Sequence, residues 1–273
     1  MVIDLHSLDL QELAARKVLV AGDMMLDAYV WGQVERISPE APVMVVNVQR
    51  ETRVLGGAGN VVNNLVGLGA QVAVVGLVGP DEAGTVLQDE LVRLGEDSDG
   101  LLVDPQRQTT LKTRVLGGNQ QIVRIDRENR HPPSPQLQEK LAAQFENLLT
   151  EVDAIILSDY GKGVLTEQLL AEIIARGRER GLPIVVDPKG RDYSRYRRAS
   201  LITPNRKEVE LAVGYALQKR EDLLRAGQEL CRACDTDGIL ITLGAEGMAL
   251  FQKNEAPREI AAQAREVFDV SGA

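Results

Sequence analysis

The sequence is short of cysteine, histidine and aromatic residues: two Cys, two His and 3% Phe, Trp and Tyr in 273 residues. So few cysteines give no disulfide framework, and a cytoplasmic setting is the expectation. The two, Cys231 and Cys234, form a C-x-x-C, but neither a second pair nor a nearby His completes a zinc site. Both fall on the apolar stripe of Leu223, Leu224, Gly227 and Leu230, so a buried helix face accounts for them. His6 and His131 alone are a poor basis for a His-built metal site or a Ser-His-Asp triad. No apolar run approaches the roughly 20 residues that span a bilayer. Met1-Val2-Ile3-Asp4-Leu5-His6 lacks the basic-then-apolar plan of a signal peptide. Positive charge is also scarce. Against 40 Asp and Glu stand 31 Lys and Arg, a net charge of -9, which argues against a nucleic-acid surface. An anionic ligand must therefore be held by a local group of cations.

What is present is ordinary for a soluble globular chain: 44% hydrophobic and 26% charged residues. The length suits one large α/β domain, or a core with a small appendage. A short helix is expected over 8–16 and a buried strand over Lys17–Asp23. Residues 28–55 hold several short β-branched stretches and no helical period, which predicts a strand-rich excursion. Gly56-Gly57-Ala58-Gly59-Asn60 opens a helix, Val72–Val78 reads as a strand and Asp81–Leu94 as an amphipathic helix with an acidic start. Thr109–Leu116 and Gln120–Asp126, joined by Gly117-Gly118-Asn119, read as a strand pair that can join 28–55 in one small sheet. From residue 134 helices (134–150, 166–180, 205–213, 219–234) alternate with strands (Ala154–Ser158, Pro183–Asp187, Leu201–Thr203, Gly238–Leu243), and Met248–Gln252 follows as a further strand. Such alternation predicts a parallel sheet covered on both faces.

Three groups of residues suggest chemistry. Gly57-x-Gly59 is followed by Val62 where the dinucleotide fingerprint needs glycine, and no Walker A run occurs, so neither nucleotide motif applies. A glycine-rich turn opening a helix still offers backbone N–H groups to an anion or a sugar hydroxyl, or it serves close helix–strand contact. Asp23, Asp27, Asp159 and Asp187 sit at predicted strand ends, where carboxylates hold sugar hydroxyls or a hydrated Mg²⁺, or simply cap turns. Lys112 and Arg114 share one face of a predicted strand and Arg124 lies on its partner, a grouping that suits a phosphate-bearing substrate or a solvated charged face.

Five motifs carry a resemblance to a known family. They are Gly22-Asp23-x-x-x-Asp27, Gly56-Gly57-Ala58-Gly59-Asn60, Thr203-Pro204-Asn205-x-x-Glu208, Thr242-Leu243-Gly244-x-x-Gly247 and Asp269-Val270-Ser271-Gly272-Ala273. In this order they resemble the ribokinase-like, PfkB-type sugar kinases, from about residue 17 to the last. Finer features resemble the D-glycero-β-D-manno-heptose-7-phosphate kinases: Arg36-Ile37-Ser38-Pro39-Glu40-Ala41-Pro42-Val43, Asn119-Gln120-Gln121-Ile122-Val123-Arg124, Leu157-Ser158-Asp159-Tyr160-x-Lys162-Gly163 and Asp187-Pro188-Lys189-Gly190. Those enzymes use MgATP to phosphorylate the anomeric oxygen, on the route to ADP-heptose for lipopolysaccharide. Many are fused to an adenylyltransferase, whose His-x-Gly-His is absent here.

The resemblance implies a ribokinase-like α/β/α sandwich, residues 1–273 forming one kinase domain incomplete at its C-terminus. The excursions at about 28–55 and 109–126 would form a β lid that doubles as a homodimer clasp. Asp23 and Asp27 would bind sugar hydroxyls, and Gly56, Gly57 and Asn60 would form the sugar-facing loop. Asn205, Arg206, Lys207 and Glu208 would organise Mg²⁺ and the ATP phosphates, Glu208 reaching the metal through phosphate or water. Thr242, Gly244 and Gly247 match the ATP loop. Lys112, Arg114 and Arg124 are candidates for the substrate phosphate from charge placement alone. In the family the last motif runs on to a Gly and the general-base Asp, and Gly272 and Ala273 would be the remnant of the anion hole. Since this sequence stops two residues before that Asp, it is expected to be inactive or nearly so. Another sugar kinase of the same fold, and a catalytically dead nucleotide-binding or interaction protein, stay open as alternatives. An NAD oxidoreductase is a distant one.

Overall fold

The computed structural model describes residues 10–118, 120–253 and 255–262. Asn119, Gly272 and Ala273, with the rest of the last motif, lie outside the described residues. The chain divides into two compact units. The first runs to Ala154 and takes up Ser158–Thr166, and the second holds Ile155–Leu157 and the chain from Glu167 on.

In the first unit, a short helix α1 (Leu10–Ala14) leads into β1 (Lys17–Gly22), whose residues from Val18 to Gly22 are all buried. An apolar run buried on both faces is what a central parallel strand requires. Two long strands follow, β2 (Met24–Ile37) and β3 (Met44–Gly57), 14 residues each and paired antiparallel. The excursion read as short stretches is thus one long hairpin. Register shifts at Trp31/Gly32 and Val34/Arg36 interrupt its alternation and hide its length from the sequence. Helix α2 (Ala58–Gly67) starts at the glycine-rich turn, and β4 (Gln71–Val78) returns parallel to β1.

Asp81 caps α3 (Glu82–Arg93), accepting from the Gly84 N–H at 2.9 Å. A three-residue strand, β5 (Leu101–Val103), extends the order to β1-β4-β5. β6 (Thr110–Gly117) pairs parallel with β2 and antiparallel with β7 (Gln120–Arg127). The two excursions therefore form one four-stranded sheet, β3-β2-β6-β7. Ser134 and Pro135 then start α4 (Pro135–Leu148).

In the second unit, β8 (Ala154–Ser158) supplies Ile155–Leu157, and α5 (Glu167–Glu179) buries Leu169, Leu170, Ile173, Ile174 and Gly177. β9 (Ile184–Asp187), a 3-10 turn at Tyr193–Tyr196, β10 (Leu201–Ile202), α6 (Arg206–Val213), α7 (Arg220–Cys234), β11 (Gly238–Thr242), a second 3-10 turn at Gly244–Glu246, β12 (Met248–Gln252) and β13 (Arg258–Ile260) complete it. Its strand order is β13-β12-β11-β10-β9-β8, with β9, β10 and β11 parallel and the β11-β12 and β12-β13 pairs antiparallel. β5 and β13 are three residues each, too short to show a period in the sequence. No helix among the described residues is long and apolar enough to cross a membrane.

Both cysteines lie on the buried face of α7, as the apolar stripe predicts. Each thiol lies against a backbone carbonyl, Cys231 Sγ 3.5 Å from Phe251 O and Cys234 Sγ 3.4 Å from Tyr193 O. Burial pushes the Cys231 thiol up and the Cys234 thiol up to about 12, so neither is a thiolate at neutral pH. Ellman's reagent is expected to modify them only as the protein unfolds in urea. Prompt modification of the native protein would contradict this packing.

Candidate functional site

Residue 23 joins three pieces of the first unit. Its N–H donates to Ser158 O (3.1 Å) and its carbonyl accepts from Ala58 N–H, the first residue of α2 (3.1 Å). Its buried carboxylate accepts three more backbone bonds: Oδ2 from Tyr160 (2.8 Å) and Lys162 (3.0 Å), and Oδ1 from Val164 (3.2 Å). The side chain expected to meet a sugar hydroxyl is thus engaged by its own protein. Burial lifts the Asp23 carboxyl above the usual range, the Lys162, Tyr160 and Val164 N–H groups pull it back, and the nearby Asp159 charge adds to the rise.

Asp27 was expected at a strand end and is instead inside β2, because the hairpin begins at Met24. Its carboxylate receives Arg114 Nη1 at 2.6 Å, both side chains being about five-sixths covered (17% and 16% exposed). Desolvation works against the Arg114 charge, and the Asp27 bond outweighs it, leaving the guanidinium more firmly protonated than usual. Gly56 and Gly57 make room for this arrangement. A Cβ on Gly56 would stand 2.5 Å from Asp27 Oδ2. One on Gly57, whose φ is 55°, would stand 2.6 Å from Met25 Cε and 2.7 Å from Asp23 O. Asn60, half-buried, is the third residue of α2.

The register confirms the shared face of the cations. Asp27, Lys112 and Asp126 are cross-strand partners, and so are Tyr29, Arg114 and Arg124. Arg114 also lies over the Tyr29 ring at 5.3 Å. Arg124 is tied to Asp126 by two bonds of 2.9 and 3.0 Å. Burial, and then the charge of Lys162, push the Lys112 ammonium below its ordinary range, while Asp27 and Asp126 push it up. Lys162 belongs to one of the resemblance motifs but has no role assigned from the sequence. Only the fold brings it to Asp23, 139 residues away along the chain, and to Lys112.

The second unit assembles Asn205–Glu208 and the 242–247 turn. Asn205 Oδ1 accepts from Glu208 N–H (3.0 Å) and Glu208 Oε2 accepts from Asn205 N–H (3.1 Å), a reciprocal cap at the start of α6. The other Glu208 oxygen holds Lys189 Nζ at 3.0 Å. Thr242 forms a parallel bridge with Asn205, and its N–H donates to Pro204 O at 2.9 Å. Gly244 and Gly247 have φ of 61° and 99°, and Leu243 N–H closes the turn on Gly247 O at 2.8 Å. Lys207 is exposed on the first turn of α6. Arg206 pairs with Glu246 at 2.6 Å at the edge of a cavity of about 370 Å³ that Leu217, Leu223, Leu243 and Met248 also line.

Among the described residues no group of three or more His, Cys, Asp or Glu could hold a metal ion. Mg²⁺ commonly keeps its waters and takes one or two carboxylates with substrate phosphates, so Glu208 beside a glycine-rich turn fits such an ion.

The model of the pfkB family carbohydrate kinases matches residues 15–273. The bifunctional protein HldE of Desulfatibacillum aliphaticivorans is 50% identical over 270 residues, 99% of this chain and 55% of that protein. HldE of Geobacter metallireducens is 52% identical over 255 residues, 93% of this chain and 52% of that protein. The chain spans about half the length of the curated relatives it matches. Of solved structures, the tetrameric inhibited form of phosphofructokinase-2 from Escherichia coli aligns with a TM-score of 0.71 at 18% identity, covering 92% of this chain and 81% of that one. Arabidopsis thaliana ribokinase complexed with ribose and ATP aligns with a TM-score of 0.70 at 17% identity, covering 94% and 81%. The fold is the ribokinase-like α/β fold with a mostly parallel sheet, as the sequence implied.

Two measurements test this geometry. A carboxyl raised on folding adds stability that is full below the unfolded pKa and is lost as pH rises through the folded one. The stability of the wild type relative to Asp23→Asn, from urea unfolding, should therefore fall as pH rises from about 4 to 7. A difference that grows over that range would contradict the buried, desolvated carboxyl. A double-mutant cycle with Asp27→Asn and Arg114→Met should return a favourable coupling of about 1–2 kcal/mol. A coupling near zero would mean that the pair does not form.

Proposed function

As the chain belongs to the pfkB family of carbohydrate kinases, we propose that its residues serve the transfer of a phosphoryl group from MgATP to the anomeric C1 oxygen of D-glycero-β-D-manno-heptose 7-phosphate. The observation that carries this reading is the cation row of the four-stranded sheet. An acidic chain places Lys112, Arg114 and Arg124 on one face, two of them across from each other and next to Asp27. A sugar with a phosphate at one end needs such a surface, whereas an unphosphorylated sugar does not. The near-half identity to relatives named HldE supports the heptose assignment.

In this reading Asp27 accepts sugar hydroxyls, and Arg114, held by Asp27, leans towards the sugar phosphate. Gly56, Gly57 and Asn60 form the floor beneath the sugar. Asp23 acts through the loop it holds and not by touching the sugar. In the second unit the Leu- and Met-lined cavity takes the nucleobase. The 242–247 turn and the start of α6 face the phosphates. Bound Mg²⁺ supplies charge neutralisation to those phosphates. Glu208 positions its water shell, and Lys189, anchored on Glu208, adds a cation. The four-stranded sheet serves as a lid. Its exposed Val34, Val48, Val123 and Ile125 support docking of a second copy through it. ATP as co-substrate places the reaction in the cytoplasm.

Calorimetry with MgATP, heptose 7-phosphate and unphosphorylated heptose, alongside a phosphoryl-transfer assay, tests the proposal. Heptose 7-phosphate should bind at least about tenfold more tightly than the free sugar, about 1.4 kcal/mol. Asn205→Ala should weaken MgATP while leaving sugar affinity intact, besides costing about 1 kcal/mol of stability as a lost helix cap. Equal affinity for both sugars would point to another sugar kinase of the family, and nucleotide binding with no sugar binding to a binding protein.

A further inference from the structure

Lys162 is buried (8% exposed), although lysine is among the residues least often found so. Its backbone is gripped from both sides. The N–H donates to Asp23 Oδ2 at 3.0 Å, and the carbonyl accepts from Arg107 Nη1 at 2.8 Å. Arg107, itself buried, is braced by Asp104 and donates from Nη2 to His131 O at 2.8 Å. The next residue, Gly163, has a φ of 90° and lies where a Cβ would meet His131 O at 2.5 Å. Two buried charged side chains, Asp23 and Arg107, thus converge on one short loop. Such bracing is what a preorganised binding side chain needs, and it is more than a turn requires.

The ammonium of Lys162 pairs with Glu128 just past the end of β7. As a purely structural pair this is a poor arrangement, since apolar residues of similar size fill such a place at less desolvation penalty. The surroundings add a second difficulty. Lys112 is the cross-strand partner of Asp126, two residues before the Glu128 that holds Lys162, so the Lys162 charge works against that of Lys112. An anion received by both lysines removes that repulsion. Glu128 is equipped for the exchange, because Arg130 also holds its Oε1, by Nη2 at 2.8 Å and Nε at 3.1 Å. When Lys162 turns away, Glu128 keeps a cation.

We propose that Lys162 is an anion-binding residue of the sugar-phosphate site in the first unit, working with Lys112, and that Glu128 occupies its ammonium until the ligand phosphate replaces it. A phosphate monoester carries about two negative charges near pH 7, which matches two ammonium groups. The proposal rests on the reading of the site as one for a phosphorylated sugar.

Calorimetric titration of the full chain with heptose 7-phosphate, unphosphorylated heptose and inorganic phosphate tests it, on wild type, Lys162→Met, Lys162→Arg and Glu128→Gln. Lys162→Met should weaken heptose 7-phosphate by about tenfold or more and leave the free sugar unchanged. Lys162→Arg should recover part of the loss. Glu128→Gln should tighten both phosphate ligands, an opposite shift that damage to the fold does not produce, and circular dichroism checks that each variant is folded. Unchanged phosphate binding in Lys162→Met, equal weakening of sugar and sugar phosphate, or weaker binding in Glu128→Gln would each overturn the proposal. If wild type binds inorganic phosphate through Lys162 but not heptose 7-phosphate, the heptose reading falls and the role of Lys162 stands.

Discussion

One buried carboxylate organises the candidate site of the first unit. Asp23 follows β1 directly, and through five hydrogen bonds it fixes the start of α2, the end of β8 and the loop from Tyr160 to Val164. The requirement is electrostatic before it is geometric. A carboxyl taken out of water needs donors, and the backbone N–H groups of a tight loop are donors that also need an acceptor. Each satisfies the other, so the loop and the acid are held together. The features of the first unit around it depend on this. The glycine-rich turn must come close to Asp23, which is why a Cβ on Gly57 would strike its carbonyl oxygen. Lys162 hangs from the same loop.

Charge on the neighbouring sheet is arranged as near-neutral pairs and not as an open basic patch. Arg114 holds Asp27, Arg124 holds Asp126, and Glu128 holds Lys162 and Arg130. An acidic protein of net charge -9 can in this way keep several cations in one place, with Lys112 and Lys162 left in mutual repulsion. Under the proposed reading, a phosphate enters by exchanging partners, and selectivity arises because a neutral sugar cannot drive the exchange. The second unit uses a different means. There the residues are positioned by the backbone, through a reciprocal helix cap and a turn with two glycines at positive φ, and its charged side chains, Lys189 and Arg206, are braced on Glu208 and Glu246.

Much of this is legible in the sequence because its signals are local. The alternation of short apolar strands with helices, the apolar stripe of α7 and the shared face of Lys112 and Arg114 with Arg124 on the partner strand all follow from periods of two and 3.6 residues. What escapes is long-range or irregular. β5 and β13 are too short to show a period, and the bulges in β2 and β3 disguise a hairpin of two 14-residue strands as fragments, which moves Asp27 from a strand end to a strand interior. An Asp after a buried strand looks like a ligand-binding residue. That Asp23 is engaged by residues 137 to 141 positions further on is information only the folded chain holds. The same applies to Lys162, whose partners lie at Asp23, Arg107 and Glu128.

The central claim is that Asp23 holds the loop carrying Lys162 in a fixed position, and amide hydrogen exchange tests it most directly. The Tyr160, Lys162 and Val164 amides should be protected to the level of β1 in the wild type. In Asp23→Ala they should become fast together while β1 stays protected. Rapid exchange at these three amides in the wild type, or protection that survives the substitution, would contradict the account.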